Sequence, residues 1–159
     1  MRELDRAGGT RRFKAAEHRA GNGKGFESFP SRDYVTHVNH APGFLKVVQE
    51  AKSRVKEVSL SEARARLAAN LQAVLLDVRE ESEWDRGHAK NAQHLGKGVL
   101  ERDIEARFPD KNTEIIMYCG GGFRSALTCD VAQQMGYTQV RSLEGGYRAM
   151  IAADWPLER

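Results

Sequence analysis

The chain predicts an α/β fold in which a mostly parallel sheet lies between helical layers. Ala73-Val74-Leu75-Leu76-Asp77 and Ile115-Ile116-Met117-Tyr118 are short continuous apolar runs, the pattern of strands covered on both faces. Around them lie longer segments with helical spacing and helix-ending signals, and strands that alternate with helices imply parallel pairing. In sheets of that kind ligands bind beyond the carboxyl ends of the strands.

Bulk properties set the frame. At 159 residues the chain suits one domain with its own core. It has no apolar run near the length that spans a bilayer, and its first residues lack the apolar segment of a secretory signal. Two cysteines in very different settings make no disulfide framework, which suits a reducing compartment, so a cytoplasmic location is expected. The net charge of +3 is uneven: residues 1–32 hold eight Lys/Arg against four Asp/Glu. Rich in Gly and Arg and poor in aliphatic side chains, residues 1–33 read as a flexible basic extension. Its charge is sparse and no aromatic stacking platform follows it, so neither a nucleic acid nor a membrane is expected as partner.

The elements follow in order. Residues 34–56 form a helical flank, with Pro42 near the helix start and Phe44, Val47, Val48 and Ala51 on one face. The main domain occupies 57–159. Ser59 and Glu62 have the spacing of a capping box for a helix through Leu67. The strand Ala73–Asp77 comes next, then a short helical turn over Glu80–Trp84 and a strand over Ala92–His94. Val99–Phe108 reads as a helix ended by Pro109. After the strand Ile115–Tyr118, a helix over Ser125–Met135 stops before Gly136. Gln139–Leu143 is the next strand, and Gly145-Gly146 open a last helix through Ile151.

The most informative stretch is Cys119-Gly120-Gly121-Gly122-Phe123-Arg124-Ser125. A buried strand delivers one cysteine to a glycine-rich turn that feeds a helix. Consecutive glycines allow backbone angles that point several N–H groups at one sulfur. The helix start adds the positive end of its dipole, and Arg124 adds a full charge. All of these favour thiolate over thiol, and thiolate is the nucleophile.

With its surroundings, this loop resembles the rhodanese family of sulfurtransferases. The matching residues are Leu75-Leu76-Asp77-Val78-Arg79-Glu80 with Glu83-Trp84 and Gly87-His88, then Cys119 to Ser125, Leu143-Glu144-Gly145-Gly146-Tyr147, and Trp155-Pro156. They stand in the family's order and spacing across roughly residues 55–157. The resemblance implies a rhodanese-like three-layer sandwich with a mostly parallel five-stranded sheet. Two departures concern packing and loop shape. Ala89-Lys90-Asn91-Ala92 stands where Ile-Pro-Gly-Ala is common, and Met150 stands where a tryptophan is common.

From this placement Cys119 is expected to attack the outer sulfur of a small anionic donor such as thiosulfate, expel sulfite and hold a persulfide. A thiol or cyanide acceptor, or a protein sulfur acceptor, then removes that sulfur. No cofactor beyond the covalent persulfide is expected. Arg124, with a planar fork that can hold two oxygens, is the candidate for orienting the donor, and no basic residue directly follows Cys119. Asp77 and Arg79 are assigned to support, bracing backbone near the loop, and His88 is read as structural. Cys129 lies ten residues beyond Cys119, which is roughly 12–15 Å along a helix at about 1.5 Å per residue. That is too far for a disulfide, so it reads as core filler. His37 and His40 have the spacing of a metal pair, and His88 and His94 add to the count. No cysteine or carboxylate cluster completes a tetrahedral set, so no metal is expected.

Two other readings stay open. One is a persulfide carrier or interaction module serving a protein partner. The other is a phosphatase or arsenate reductase of the rhodanese-like fold, which needs five residues between cysteine and arginine. Here there are four, Gly120 to Phe123.

Overall fold

The computed structural model describes residues 39–159; the expected extension over 1–33 and His37 lie outside the described residues. The elements are α1 (Pro42–Lys52), β1 (Lys56–Val58), α2 (Leu60–Ala69), β2 (Val74–Asp77), α3 (Glu81–Trp84), β3 (His88–Ala89) and β4 (Gln93–His94), followed by a 3-10 turn at Lys97–Val99. Then come α4 (Leu100–Arg107), β5 (Ile115–Tyr118), α5 (Phe123–Gln134), β6 (Val140–Leu143), α6 (Gly146–Ala152) and β7 (Leu157–Glu158). A five-stranded sheet runs in the order β1-β6-β5-β2-β4, and every pairing in it is parallel.

The continuous apolar runs are explained by burial on both sides of β5. Ile115 and Met117 face one core with Leu76, Leu100, Ile104 and Tyr137, against α4 and α5. Ile116 and Tyr118 face the other with Ala63, Leu143, Met150 and Trp155, against α2 and α6. Ile115, Ile116, Met117 and Tyr118 are all 0% exposed. Each such side chain contributes about 1.5–3 kcal/mol through burial, which is why β5 holds the centre of the sheet. Tyr137 closes the far end, its hydroxyl donating to the carbonyls of Phe108 (2.7 Å) and Ile104 (3.1 Å).

Local chemistry accounts for most boundaries. Ser59 Oγ accepts from the Glu62 N–H (3.3 Å) while Glu62 Oε2 accepts from the Ser59 N–H (2.9 Å), the capping box read from the sequence. α5 starts at Phe123 rather than Ser125, because Gly122 at φ 90° turns the chain directly into the helix. α4 starts one residue later than expected, after the 3-10 turn. On α1, Val48 and Ala51 are buried, but Val47 is 47% exposed, so the packed stripe is narrower than its spacing implied. The helix is fastened to α5 by Arg54, whose Nε and Nη2 reach the two Asp130 oxygens at 2.8 and 2.7 Å. Asn91, at the position where glycine is common, adopts φ 64°; asparagine tolerates this left-handed conformation. Met150 is 0% exposed and fills the core beside Trp155.

One feature of the architecture was not legible in the pattern: β3 and β7 form a separate antiparallel pair, His88 opposite Glu158 and Ala89 opposite Leu157. Strands two residues long carry no period. Among the described residues no helix is long and apolar enough to cross a membrane.

α6 comes close to the end of β5 at Gly146. Gly146 sits at φ 54°, and a Cβ built there would lie 2.3 Å from the Cys119 carbonyl oxygen and 2.9 Å from the Gly121 nitrogen. Gly146→Ala is therefore expected to lose about 2–4 kcal/mol in urea unfolding, from left-handed strain and from pushing α6 off the Cys119 loop. A loss under about 0.5 kcal/mol, the range of an ordinary surface change, would refute this account of the close contact.

Candidate active site

Parallel register brings two separate sequence blocks together. Asp77, the last residue of β2, pairs in register with Tyr118, the last residue of β5. The segments that leave these strands, Val78-Arg79 and Cys119-Gly120, therefore emerge side by side at the carboxyl end of the sheet. The end of β6 and the start of α6 complete the rim, so the blocks 75–80, 119–125 and 143–147 converge on one place, while Trp155 packs in the core.

Cys119 is 1% exposed. Its Sγ accepts a hydrogen bond from the Gly122 N–H at 3.2 Å, and Ser125 Oγ lies 3.6 Å away. Ser125 is paired in turn with Ser142 Oγ on β6, 2.8 Å apart. The loop's carbonyls are turned to α6: Cys119 O accepts from the Tyr147 N–H (2.7 Å), and Gly120 O from the Arg148 N–H (3.1 Å). With the carbonyls committed there, the N–H groups of Gly120 and Gly121 have no protein acceptor among the described residues. The sulfur thus lies at the start of α5, where backbone donors and the helix dipole favour negative charge.

Asp77 and Arg79 are buried, 0% and 4% exposed, directly behind this loop. Arg79 donates through Nε (3.0 Å) and Nη2 (2.6 Å) to the Asp77 carboxylate and through Nη2 to the Gly87 carbonyl (2.8 Å). Its guanidinium lies 3.9 Å from the Tyr147 ring centroid, so it joins the β2 loop to the first turn of α6. Burial works against the Arg79 charge, but the hydrogen bonds that Arg79 donates to Asp77, together with the attraction of the Asp77 charge, outweigh it and hold the group above its ordinary range. Burial, aided by the Asp77 charge, raises the Tyr118 phenol and keeps it neutral. Its oxygen accepts from the Ala89 N–H at 3.1 Å.

Arg124 does not present an open fork. Its Nη1 and Nη2 donate to Oε2 and Oε1 of Glu83 at 2.6 and 2.9 Å. A cation in the first turn of a helix faces the positive end of the dipole, and Glu83 offsets that. The hydrogen bonds from Arg124 hold the Glu83 carboxyl below its usual range, and Glu83 raises Arg124.

Sequence reasoning missed a second cation. Arg148 on α6 donates through Nε to the Gly120 carbonyl at 3.2 Å, next to the loop that seemed to hold Arg124 alone. Nothing local in Gly146-Tyr147-Arg148 announces this, because the contact depends on where α6 docks. Ser142 was equally unmarked, since its hydroxyl matters only through its pairing with Ser125.

The histidines are spread among ring contacts. His88 stacks on Trp84 with centroids 3.4 Å apart, and His94 packs on the same ring at 5.0 Å. His94 Nε2 also lies 2.9 Å from the Arg79 carbonyl, and His40 meets the edge of Phe123 at 4.7 Å. Cys129 is 0% exposed within α5, and burial pushes its thiol well up.

Comparison with known proteins agrees with this arrangement. The chain is similar to "Putative sulfurtransferase YtwF" of Bacillus subtilis, 30% identical over 95 residues that cover 60% of this chain and 89% of YtwF. It spans about half or less of longer relatives. Among solved structures, the polysulfide-sulfur transferase homodimer of Wolinella succinogenes matches with a TM-score of 0.64 and 25% identity over 73% of this chain and 87% of that one. A Rhodopseudomonas palustris protein of unknown function, described as a possible tyrosine phosphatase, matches with a TM-score of 0.67 and 28% identity over 77% of this chain and 99% of that one. The rhodanese-like domain model matches residues 59–153, from the cap of α2 to just past the end of α6, and so takes in every block that meets around Cys119: the chain belongs to the rhodanese-like domain family.

Proposed function

We propose that the chain is a sulfurtransferase that carries sulfane sulfur on Cys119 between a small anionic donor, thiosulfate or a relative, and a cyanide or thiol acceptor. The observation that carries the reading is the loop's polarity. The Gly122 N–H points at Sγ, the carbonyls of Cys119 and Gly120 are drawn away to α6, and the free N–H groups of Gly120 and Gly121 face no protein acceptor among the described residues.

In the first step the Cys119 thiolate attacks the outer sulfur of thiosulfate. A Cys119 S–S bond forms, the donor's S–S bond breaks, and sulfite leaves with the electron pair. The terminal sulfur of the persulfide is anionic, and the loop N–H groups stabilise it as they would an oxyanion. In the second step the cyanide carbon attacks that terminal sulfur. A C–S bond forms, the S–S electron pair returns to Cys119, and thiocyanate departs. Neither step requires proton transfer, consistent with a site in which His88 and His94 are occupied by Trp84. Asp77 and Arg79 support the loop from behind, and the Ser125–Ser142 pair sets a hydroxyl beside the sulfur.

The phosphatase reading has one point in its favour, the description of the Rhodopseudomonas palustris neighbour. Against it stand the four residues between Cys119 and Arg124 and the engagement of Arg124 by Glu83. Both leave a tetrahedral phosphate without the usual arginine fork.

The deciding measurement is intact mass after incubation with thiosulfate and again after cyanide. Wild type should gain one sulfur atom and release it as thiocyanate, whereas Cys119→Ser should lose turnover by about a thousandfold or more, as for removal of a covalent nucleophile. No gain of sulfur on wild type from thiosulfate or mercaptopyruvate would overturn the reading. Repeated rapid turnover with cyanide favours an enzyme, and a single loading discharged only to a protein favours a carrier.

Cys129 offers an internal check. Its buried, raised thiol should resist iodoacetamide at pH 8 while the protein is folded, so any single adduct should map to Cys119. Labelling of Cys129 at a comparable rate would contradict its raised, buried thiol inside α5 and the assignment of the reactive sulfur to the glycine loop.

A further inference from the structure

We propose that Arg148, rather than Arg124, is the residue that binds the anionic end of the sulfur donor and sets a preference for negatively charged donors. The inference rests on the sulfurtransferase reading for its substrate, and on the charge arrangement around the loop for its residue.

Three charged side chains converge on Gly120. A Cβ built there would lie 3.2 Å from Arg124 Nη2, 3.8 Å from Arg148 Nη2 and 4.0 Å from Glu83 Oε1. Two of the three cancel: both Nη atoms of Arg124 are spent on the two Glu83 oxygens. Arg148 is left as the uncompensated charge. Its Nε holds the Gly120 carbonyl, neither of its Nη atoms donates to a protein group among the described residues, and no carboxylate lies within ion-pair distance of it there. It is half-buried, a setting in which an unpaired guanidinium keeps more of its pull on an anion than it would in open water.

The guanidinium also lies against the loop itself. A Cβ at Gly121 would be 2.7 Å from Arg148 Nη2 and 3.2 Å from Cζ, so the side chain occupies the space that any larger residue at Gly121 would claim. Two anchors fix it there, the Nε bond and the Arg148 backbone N–H, both on the Gly120 carbonyl. The result is a guanidinium whose Nη groups, without a protein acceptor among the described residues, lie against the glycines of the Cys119 loop that carry the unpaired N–H groups. A sulfonate-like head with several oxygens, such as the –SO3 end of thiosulfate, matches planar guanidinium donors.

The test uses two methanethiosulfonate reagents of similar size, one carrying a sulfonatoethyl group and one a neutral hydroxyethyl group. Each reacts by thiolate attack on the sulfur bearing that group; a disulfide to Cys119 forms and methanesulfinate leaves with the electron pair. The ratio of the anionic to the neutral rate, read by mass in each variant, reports the field at the sulfur independently of sulfur-transfer activity and of small changes in folding. Wild type should favour the anionic reagent. Arg148→Gln should lower the ratio by roughly fivefold, Arg148→Lys should restore part of it, and Arg124→Gln should change it less than Arg148→Gln does. In parallel, Arg148→Gln should raise the thiosulfate concentration that half-saturates persulfide loading by a similar factor, with the cyanide step less affected. An unchanged ratio in Arg148→Gln, or a larger drop in Arg124→Gln, overturns the assignment. If the reagent ratio behaves as expected but thiosulfate never loads the wild type, Arg148 stands as the anion-binding residue and the sulfurtransferase reading falls.

Discussion

Everything at this site depends on how α6 is set against the end of β5. The Tyr147 N–H holds the Cys119 carbonyl at 2.7 Å, and Arg148 holds the Gly120 carbonyl through both its backbone N–H and its Nε. Such an approach is possible because Gly146 has no Cβ where the Cys119 oxygen lies. Once the two carbonyls are turned to α6, peptide geometry turns the intervening N–H groups the other way. A loop that would otherwise have mixed polarity becomes a one-sided array of donors around sulfur, and no reorganisation is needed when negative charge arrives.

The buried Asp77–Arg79 pair secures the same arrangement from the opposite side. Burying two charges is costly unless each is fully hydrogen-bonded. Arg79 offsets that cost through the Asp77 carboxylate and the Gly87 carbonyl, with its guanidinium stacked on the Tyr147 ring. Asp77 is placed by its register with Tyr118, so the parallel sheet and the loop are joined by one chain of contacts. Removing either partner would leave an uncompensated buried charge beside the strand that ends at Cys119.

Charge is distributed less obviously than composition implies. Glu83, Arg124 and Arg148 meet around Gly120, and pairing leaves one net positive charge beside the loop rather than two. Arg124 is clasped by Glu83 at the helix start, whereas among the described residues Arg148 pairs with no carboxylate and holds only the Gly120 carbonyl. In a phosphate-binding loop the arginine that follows the cysteine would itself face the oxyanion, whereas here Glu83 already engages Arg124.

Much of this was legible in the chain. Apolar runs without alternation meant strands covered on both faces, and 115–118 and 73–77 became the central pair. Ser59 and Glu62 announced their helix because a capping box needs only neighbours in sequence. Cys119 before Gly120-Gly121-Gly122 was readable for the same reason: the turn and the helix start that follows are local. Other features had no local signature. The β3–β7 pair joins segments seventy residues apart, and two-residue strands show no period. Whether Val47 faced the core or solvent depended on where α5 lay against α1. Above all, the sequence pointed to Arg124 alone and showed neither that Glu83 already engages it nor that Arg148 comes to the loop, since Glu83 reaches Arg124 across 41 positions and Arg148 reaches Gly120 across 28. Short-range steric and hydrogen-bonding preferences are written in adjacent residues; the field at the sulfur is a sum over groups that only the folded chain brings together.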